Sequence, residues 1–521
     1  MDLEHRGPPP APTAALLGAG ATAAGLGTSE LAAGALGVRS PVEALAETLI
    51  VLAPGGLATA TIDALGAAAR PLTVTAVIVV VLALGGGLGA LARGRWGLAS
   101  ALVASAAALG AGPALSTGEQ LAALPVIPAG LVTGALLRLV ALGSAVVPRA
   151  VPSRAAPADP GQAAERRRLL QGMAALGAVA VLATAGGRWL GARRVLALEP
   201  QDVALPEPAR AAGPVPREVR GGLDGLSPVL TPNDDFYRID TAVTVPRVDA
   251  DGWVLRIHGL VEQPLTITYE QLLAMPQREA DVTLTCVSNE VGGDLVGTAR
   301  WTGVPLADLL ERAGPLPGAE QVVGRATDGW DAGFPLAALD GREALVAIGM
   351  NGEALPARHG FPARLVVAGL YGYVSATKWL AEIELTTWDY DAYWVPRGWA
   401  KEAPIRRSAR IDVPRAGQSL AAGEQAIAGV AWAPVEGVDA VEVRIDGGDW
   451  QEAQLGQALG PASWRQWHLR WPAEPGSHTL EARVIGGDGE PQTGERSDPR
   501  PDGATGWHRV SVTVEPEGRG S

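Results

Sequence analysis

Thr283-Leu-Thr-Cys-Val-Ser-Asn-Glu290 is the stretch that organises the reading of this chain. Val282 and Leu284 alternate with polar residues ahead of Cys286, the period-2 pattern of a half-buried strand. A strand thus delivers a cysteine to its end, and it is the only cysteine in 521 residues. A single thiol excludes an internal disulfide and any zinc or iron–sulfur site assembled from several cysteines. Three roles stay open on these residues: a small buried hydrophobe, a nucleophile, or one soft ligand to a metal that brings its other ligands with it.

Working outward, the composition is that of a membrane portion joined to a soluble one. Hydrophobic residues make up 47% of the chain but aromatic residues only 5%, and the mean hydropathy is +0.16. Residues 1–194 hold 9 acids against 14 arginines, a net of +5, and the remainder holds 46 acids against 28 bases, a net of −18. An acidic soluble half argues against nucleic acid as a partner. Basic side chains are almost all arginine, with lysine only at Lys378 and Lys401. Where arginine is the default, lysine marks a position suited to a compact point charge.

Residues 1–194 read as a transmembrane domain of about six helices, since a span needs roughly 17–25 apolar residues. The clearest segments are 71–92, 96–116, 121–147 (interrupted by Arg138) and 169–187, with weaker ones at 11–36 and 43–66. Arg39, the Arg93/Arg95 pair and the arginines of 149–168 fall in alternate loops, and basic loops stay cytoplasmic. Both ends of the bundle then lie outside, which makes the chain a multi-pass cell-membrane protein with an extracytoplasmic acidic half. Glu165-Arg-Arg-Arg-Leu-Leu-Gln171, ahead of the last span, has two readings. It is either a twin-arginine export signal, which carries a domain across already folded, or an ordinary basic cluster.

Residues 195–228 are rich in Pro, Gly, Arg and Glu without periodicity and read as a linker. Residues 229–405 alternate short strands (253–258, 282–286, 364–368) with short helices (269–275, 305–312), an α+β domain. After 406 the texture changes to short strands between Gly, Pro and Asp turns, at 426–432, 440–445, 467–471, 478–485 and 507–514. That is the pattern of an immunoglobulin-like β-sandwich. Gly85-Gly-Gly-Leu-Gly89 lies inside an apolar span and is helix-packing chemistry, not a nucleotide loop.

Three blocks carry a resemblance. The first is 283–289 with Gly297-Thr-Ala-Arg-Trp-Thr-Gly-Val-Pro-Leu-Ala-Asp-Leu-Leu310. The second is Met350-Asn-Gly-Glu-Ala-Leu-Pro356 with His359-Gly-Phe-Pro-Ala-Arg-Leu-Val-Val367. The third is Tyr371-Gly-Tyr-Val-Ser-Ala-Thr-Lys-Trp-Leu380. Residues 231–405 resemble the molybdenum-cofactor domain of the sulfite oxidase family, and 406–516 resemble the dimerisation domain that follows it there, which implies a homodimer. The resemblance implies a mononuclear molybdenum–molybdopterin cofactor with Cys286 as the protein's thiolate ligand, completing a soft sulfur set with the two dithiolene sulfurs of the pterin. It places His359, Arg364, Ser375, Thr377 and Lys378 on the pterin and its phosphate, with arginine offering a bidentate fork and lysine a point charge. Asn233, Asp234, Phe236 and Tyr237, which open the domain, are implied to line the cofactor.

The activity implied is oxygen-atom transfer, with two electrons held by molybdenum, to or from a small oxyanion or an S- or N-oxide. Sulfite oxidases place an arginine five residues after the ligand cysteine, whereas this chain has Val291 there, preceded by Glu290. An acid and an apolar residue do not hold an oxyanion, so sulfite dehydrogenation is the lesser expectation among enzymes. Arg238 stands near a second anion-binding arginine of the family. Tyr393, with Tyr390 as the alternative, corresponds to the tyrosine kept near the metal. Outside enzymes, the rival reading is a binding or assembly module that retains the cofactor fold without turnover. All six histidines lie outside the expected spans and no Cys-x-x-Cys-His motif occurs. No haem is therefore expected in this chain. Electrons are expected to pass through a separate redox carrier, a quinone-linked protein or a cytochrome, unless the helices only anchor the domain.

Overall fold

A computed structural model describes residues 10–36, 38, 40–42, 44–46, 69–116, 123–141, 160–196, 203–242, 245–246 and 248–516. The chain divides into two compact units, Met1–Leu198 with Ala242–Thr244, and Glu199–Thr241 with Val245–Ser521.

The first unit is helical: α1 (Ala11–Leu36), α2 (Ala69–Ala92), α3 (Trp96–Ser116), α4 (Val126–Ala141) and α5 (Pro160–Leu196). α2, α4 and α5 pack on α1, α3 packs on α2 and α4, and small residues let backbones meet. A Cβ on Gly18 would lie 2.4 Å from Gly85 O, one on Gly27 2.7 Å from Ala180 O, and one on Gly34 2.0 Å from Gly187 O. Such close approach lets helices associate through backbone van der Waals contact. By length and apolarity, Leu72–Ala92 and Leu170–Leu190 are long enough to cross a bilayer, and most of each is exposed rather than cored. The arginine run 166–168 lies inside α5. The expected span 43–66 falls mostly outside the described residues, and of 121–147 only α4 and its approach are described.

The second unit opens with an irregular segment, as the aperiodic sequence of 195–228 implies, but residues 203–228 are not a free spacer. Val203 and Leu205 pack on the domain core. Ala212 N–H donates to Glu279 (3.0 Å), Val219 N–H to Gln466 Oε1 (3.0 Å) and Ser227 N–H to Asp412 (3.0 Å). Proline and glycine deny this stretch a ladder, so side chains of both following domains satisfy its backbone.

The α+β domain has two sheets over one core. The first holds β1 (Val254–Gly259), β2 (Leu265–Thr268), β5 (Gln321–Ala326), β6 (Asp331–Pro335) and β10 (Leu380–Thr386), in the order β2-β1-β10-β5-β6. Only the β1–β10 pair in it is parallel. The second holds β3 (Arg278–Thr285), β4 (Val296–Pro305), β7 (Ala344–Met350) and β8 (Glu353–Ala354), with β9 (Arg364–Val367) on β7. Short helices α6 (Tyr269–Ala274), α7 (Leu306–Ala313) and α8 (Gly372–Ser375) connect them. The Thr268–Gln271 capping box starts α6.

The C-terminal domain is a two-sheet sandwich. β11 (Ser408–Val413), β13 (Gly423–Trp432), β17 (Arg465–Ala473) and β16 (Gln454–Leu455) form one sheet. β12 (Ser419–Ala421), β19 (His508–Glu515), β18 (Gly476–Gly486), β14 (Val438–Ile445) and β15 (Gln451–Glu452) form the other. Ile411, Ile427 and Trp467 from the first meet Val441, Leu480 and Val512 from the second in one core.

Candidate functional site

β3 pairs with β4 as far as Thr285–Val296, and there the ladder stops. Residues 286–295 then form a loop closed by its own bonds. Cys286 N–H donates to Leu295 O (2.9 Å), Asn289 N–H to Cys286 O (3.0 Å) and Leu295 N–H to the Asn289 side-chain oxygen (2.8 Å). Asn289 is thus the staple of the motif, and the cysteine stands at the strand end, 8% exposed. Burial pushes the Cys286 thiol up, with hydrogen bonds from Ser288 opposing it. Beside it, the Thr285 hydroxyl is buried and has no hydrogen-bond partner among the described residues.

One wall of the site is aromatic and cationic. Phe236 stacks on Tyr237 (5.3 Å) and meets Trp301 and His359 edge-on at 5.8 and 5.7 Å. Gly297 on β4 admits that ring, since a Cβ there would lie 2.9 Å from it. Arg364 begins β9, 5% exposed, with its guanidinium 4.9 Å over Trp301. It donates to His359 O (3.0 Å), Leu365 O (3.3 Å) and Ala376 O (3.4 Å), and among the described residues no carboxylate pairs with it. Burial pulls its pKa down to about 10, with Tyr237 opposing. His359 Nε2 bonds Asn233 O at 2.8 Å, and burial pulls the ring down to about 4, so it is neutral at pH 7. Burial, reinforced by a thiolate at Cys286, keeps the Tyr237 hydroxyl protonated, against the pull of Arg364.

The other expected residues separate into groups. Lys378 is not an unengaged point charge: its Nζ lies 2.8 Å from Asp240, which is nearly fully buried and also binds Arg238 Nε at 2.9 Å. Burial takes the lysine down to about 8 while Asp240 opposes. Arg238, Asp240 and Lys378 therefore belong to one charge cluster. Ser375 turns its hydroxyl to Leu370 O (3.2 Å) and Tyr371 O (3.1 Å), and Thr377 makes a long bond to Gly324 O (3.4 Å). Asp234 is exposed and pairs with Arg358. Tyr393 lies under Arg397, 3.8 Å from guanidinium to ring centre, and Tyr390 binds Arg325 and Asp331. The hydroxyls that a thiolate at Cys286 holds protonated are those of Tyr237 and Tyr371, with burial the larger cause in each.

Thr285, Trp301 and Tyr371 were not assigned roles from the sequence. Each lies within the three blocks, so the signal was position beside an assigned residue. A lone thiol, an unpartnered buried hydroxyl and a buried cation without an acid suit one kind of occupant. It combines a thiophilic metal with an anionic tail.

Comparison with known proteins agrees. Residues 242–394 match the family model described as an oxidoreductase molybdopterin binding domain. The chain is 32% identical to human mitochondrial sulfite oxidase over 342 residues, 55% of this chain and 62% of that protein. It is 34% identical to the uncharacterized oxidoreductase YuiH of Bacillus subtilis over 151 residues, 29% of this chain and 74% of that one. The sulfane dehydrogenase SoxCD of Paracoccus pantotrophus aligns with a TM-score of 0.48 at 23% identity, covering 55% of this chain and 82% of that one. The chain thus spans less than two thirds of the human enzyme's length. With its strand-end cysteine and a buried arginine that pairs with no acid among the described residues, this chain belongs to the oxidoreductases that carry a molybdopterin binding domain.

Proposed function

We propose that this protein is a membrane-anchored, extracytoplasmic molybdenum oxidoreductase acting on a small oxyanion or an S- or N-oxide. When bound, the cofactor supplies oxygen-atom transfer coupled to two electrons. Cys286 holds the metal from the end of β3. Arg364, relieved of its uncompensated charge, holds the phosphate of the pterin, and His359 and Phe236 flank it. Tyr237, held protonated, presents a hydrogen-bond donor on the same side as the thiol. The observation that carries this reading is Arg364: a buried guanidinium without an acid among the described residues is costly unless an anion arrives.

Substrate choice follows from the loop after the thiol. Glu290 is exposed and Val291 half-buried where sulfite oxidases hold an arginine, which favours a neutral oxide over a dianion. Membrane anchoring is supported by Leu72–Ala92 and Leu170–Leu190, whose apolar faces are largely exposed. An outside location is supported by the arginine-bearing loops. Electrons exchange with a separate carrier, a quinone-linked protein or a cytochrome, and the immunoglobulin-like sandwich makes a homodimer.

Metal analysis and the visible spectrum of the purified chain, followed by a panel of sulfite, sulfoxides and N-oxides with artificial electron donors and acceptors, test this. Cys286→Ala is expected to remain folded and to lose molybdenum, the visible band and turnover. Full metal and normal turnover in that variant overturn the ligand assignment. Metal without turnover on any substrate supports a non-catalytic module instead.

A further inference from the structure

The loop that carries Cys286 is gripped from outside its own domain. Arg410 Nη1, on β11 of the sandwich, donates to Gly293 O at 2.8 Å. His508, at the start of β19, lies against Gly292, where a Cβ would stand 2.2 Å from its Cδ2 and 2.3 Å from its Nε2. Gly292 has φ +81°, which only glycine adopts readily, so both its backbone and its missing side chain fit this contact. Each gripping residue is itself fixed. Arg410 Nε bonds Asp412 at 2.7 Å and its Nη2 bonds Ser227 at 2.7 Å. His508 Nδ1 accepts from Ile411 N–H at 3.0 Å, which leaves Nε2 as the protonated nitrogen facing the loop.

Two further contacts bracket the thiol. On the strand side, Thr283 N–H donates to Ala462 O (3.0 Å) and Trp464 N–H to Thr283 Oγ1 (2.7 Å). On the other side, Tyr371 OH, a hydroxyl that a thiolate at Cys286 helps keep protonated, accepts from Arg406 N–H (3.2 Å), and Gly503 leaves room for it, since a Cβ there would approach it to 2.2 Å. The sandwich therefore touches the strand before Cys286, the loop after it and Tyr371.

We propose that the C-terminal sandwich is a clamp that sets the position of the Cys286 sulfur, with Arg410 and His508 as its positioning residues. The loop's internal bonds tie residues 286, 289 and 295 together, and near the tip Gly293 N–H bonds Glu290 O (2.9 Å). A hydrogen-bonded closure of this kind still opens locally, and an external charge-assisted bond shifts that equilibrium toward the closed form. A nearly fully buried guanidinium directed at a loop carbonyl is a demanding way to fill an interdomain contact that apolar packing would fill as well.

Because the chain has one cysteine, thiol labelling reports this loop alone. The full chain, purified without cofactor, is treated with iodoacetamide, and the rate is compared for the native protein, Arg410→Gln, Gly292→Ala and Arg483→Gln. Arg483 pairs with Glu442 within the sandwich and serves as a control for general loss of stability. Labelling is expected to accelerate about tenfold in Arg410→Gln and in Gly292→Ala, and not in the control at equal melting temperature. If Arg410→Gln fails to fold, Arg410→Lys keeps the charge and loses the fork, and the same acceleration is expected. In cofactor-loaded protein, the sulfur-to-metal absorption band is expected to change in Arg410→Lys at unchanged metal content. Native labelling rates in Gly292→Ala and in either Arg410 variant overturn the clamp. Accelerated labelling with an unchanged band overturns instead the role of Cys286 as ligand.

Discussion

Replacing Arg364 with methionine offsets much of the usual cost of a core substitution. The guanidinium is charged at pH 7 in both folded and unfolded states, but burial takes its pKa well below the ordinary arginine value, to about 10. That difference destabilises the cofactor-free fold by about 3 kcal/mol at any pH well below 10. Methionine removes this cost and preserves contact with Trp301, while it forfeits bonds to three carbonyls, two of them at 3.3 Å or longer. Those bonds, the two long ones counting least, and the cation–π part of the ring contact together are worth about 2–4 kcal/mol. Cofactor-free Arg364→Met should therefore melt within about 4 °C of the native protein, where loss of an ordinary buried, bonded side chain would lower it by more. Affinity for the cofactor, by contrast, falls. Losing a charge-assisted bond to a phosphate, about 1.5–3 kcal/mol, weakens binding about 10- to 100-fold. The assay is paired: melting with and without cofactor, and molybdenum content after expression. A cofactor-free variant that melts several degrees below native while retaining full metal refutes the reasoning, because Arg364 is then structural.

Three further outcomes follow from other parts of the molecule. His508 is held near pKa 4 by burial, with Arg410 adding to it, so the unfolded chain takes its proton at about 6.5 and the folded one only near 4. Its contribution is complete above pH 6.5 and is lost as pH falls toward 4, about 3 kcal/mol in all; His508→Gln should flatten denaturant midpoints across that window relative to native. In the helical unit, Gly34→Leu forces a side chain into Gly187 O and should lower the detergent-solubilised midpoint, whereas Gly87→Ala, which meets nothing within 4 Å, should leave it or raise it by up to about 1 kcal/mol. Arg166→Lys with Arg167→Lys should leave the acidic half inaccessible to protease added to intact cells; unchanged access means the pair is not an export signal.

The sequence alone determined what depends on short-range pattern. The β3 alternation ended at a cysteine, the buried run 364–367 became β9, and the five expected C-terminal strands formed within a residue or three of their expected limits, because period-2 burial is written locally. Cys286, His359 and Arg364 could be singled out for the same reason, each inside an ordered block. Other features needed the tertiary structure. Lys378 was marked by its rarity, but its partner Asp240 lies 138 positions away and takes up its charge. Tyr393 stands in a loop that pairs with Arg397 and Asp331, while the hydroxyls that a thiolate at Cys286 helps keep protonated are Tyr237 and Tyr371, from separate elements. The segment 203–228 looked like a spacer because its backbone partners are side chains more than 60 positions away. Arg410 and His508 carried no local sign at all, since Gly292 and Gly293, which they hold, are over 100 positions distant. Spacing along the chain encodes which face a residue takes; which charges neutralise one another, and which loop a distant domain holds still, is decided only when the sheets pack.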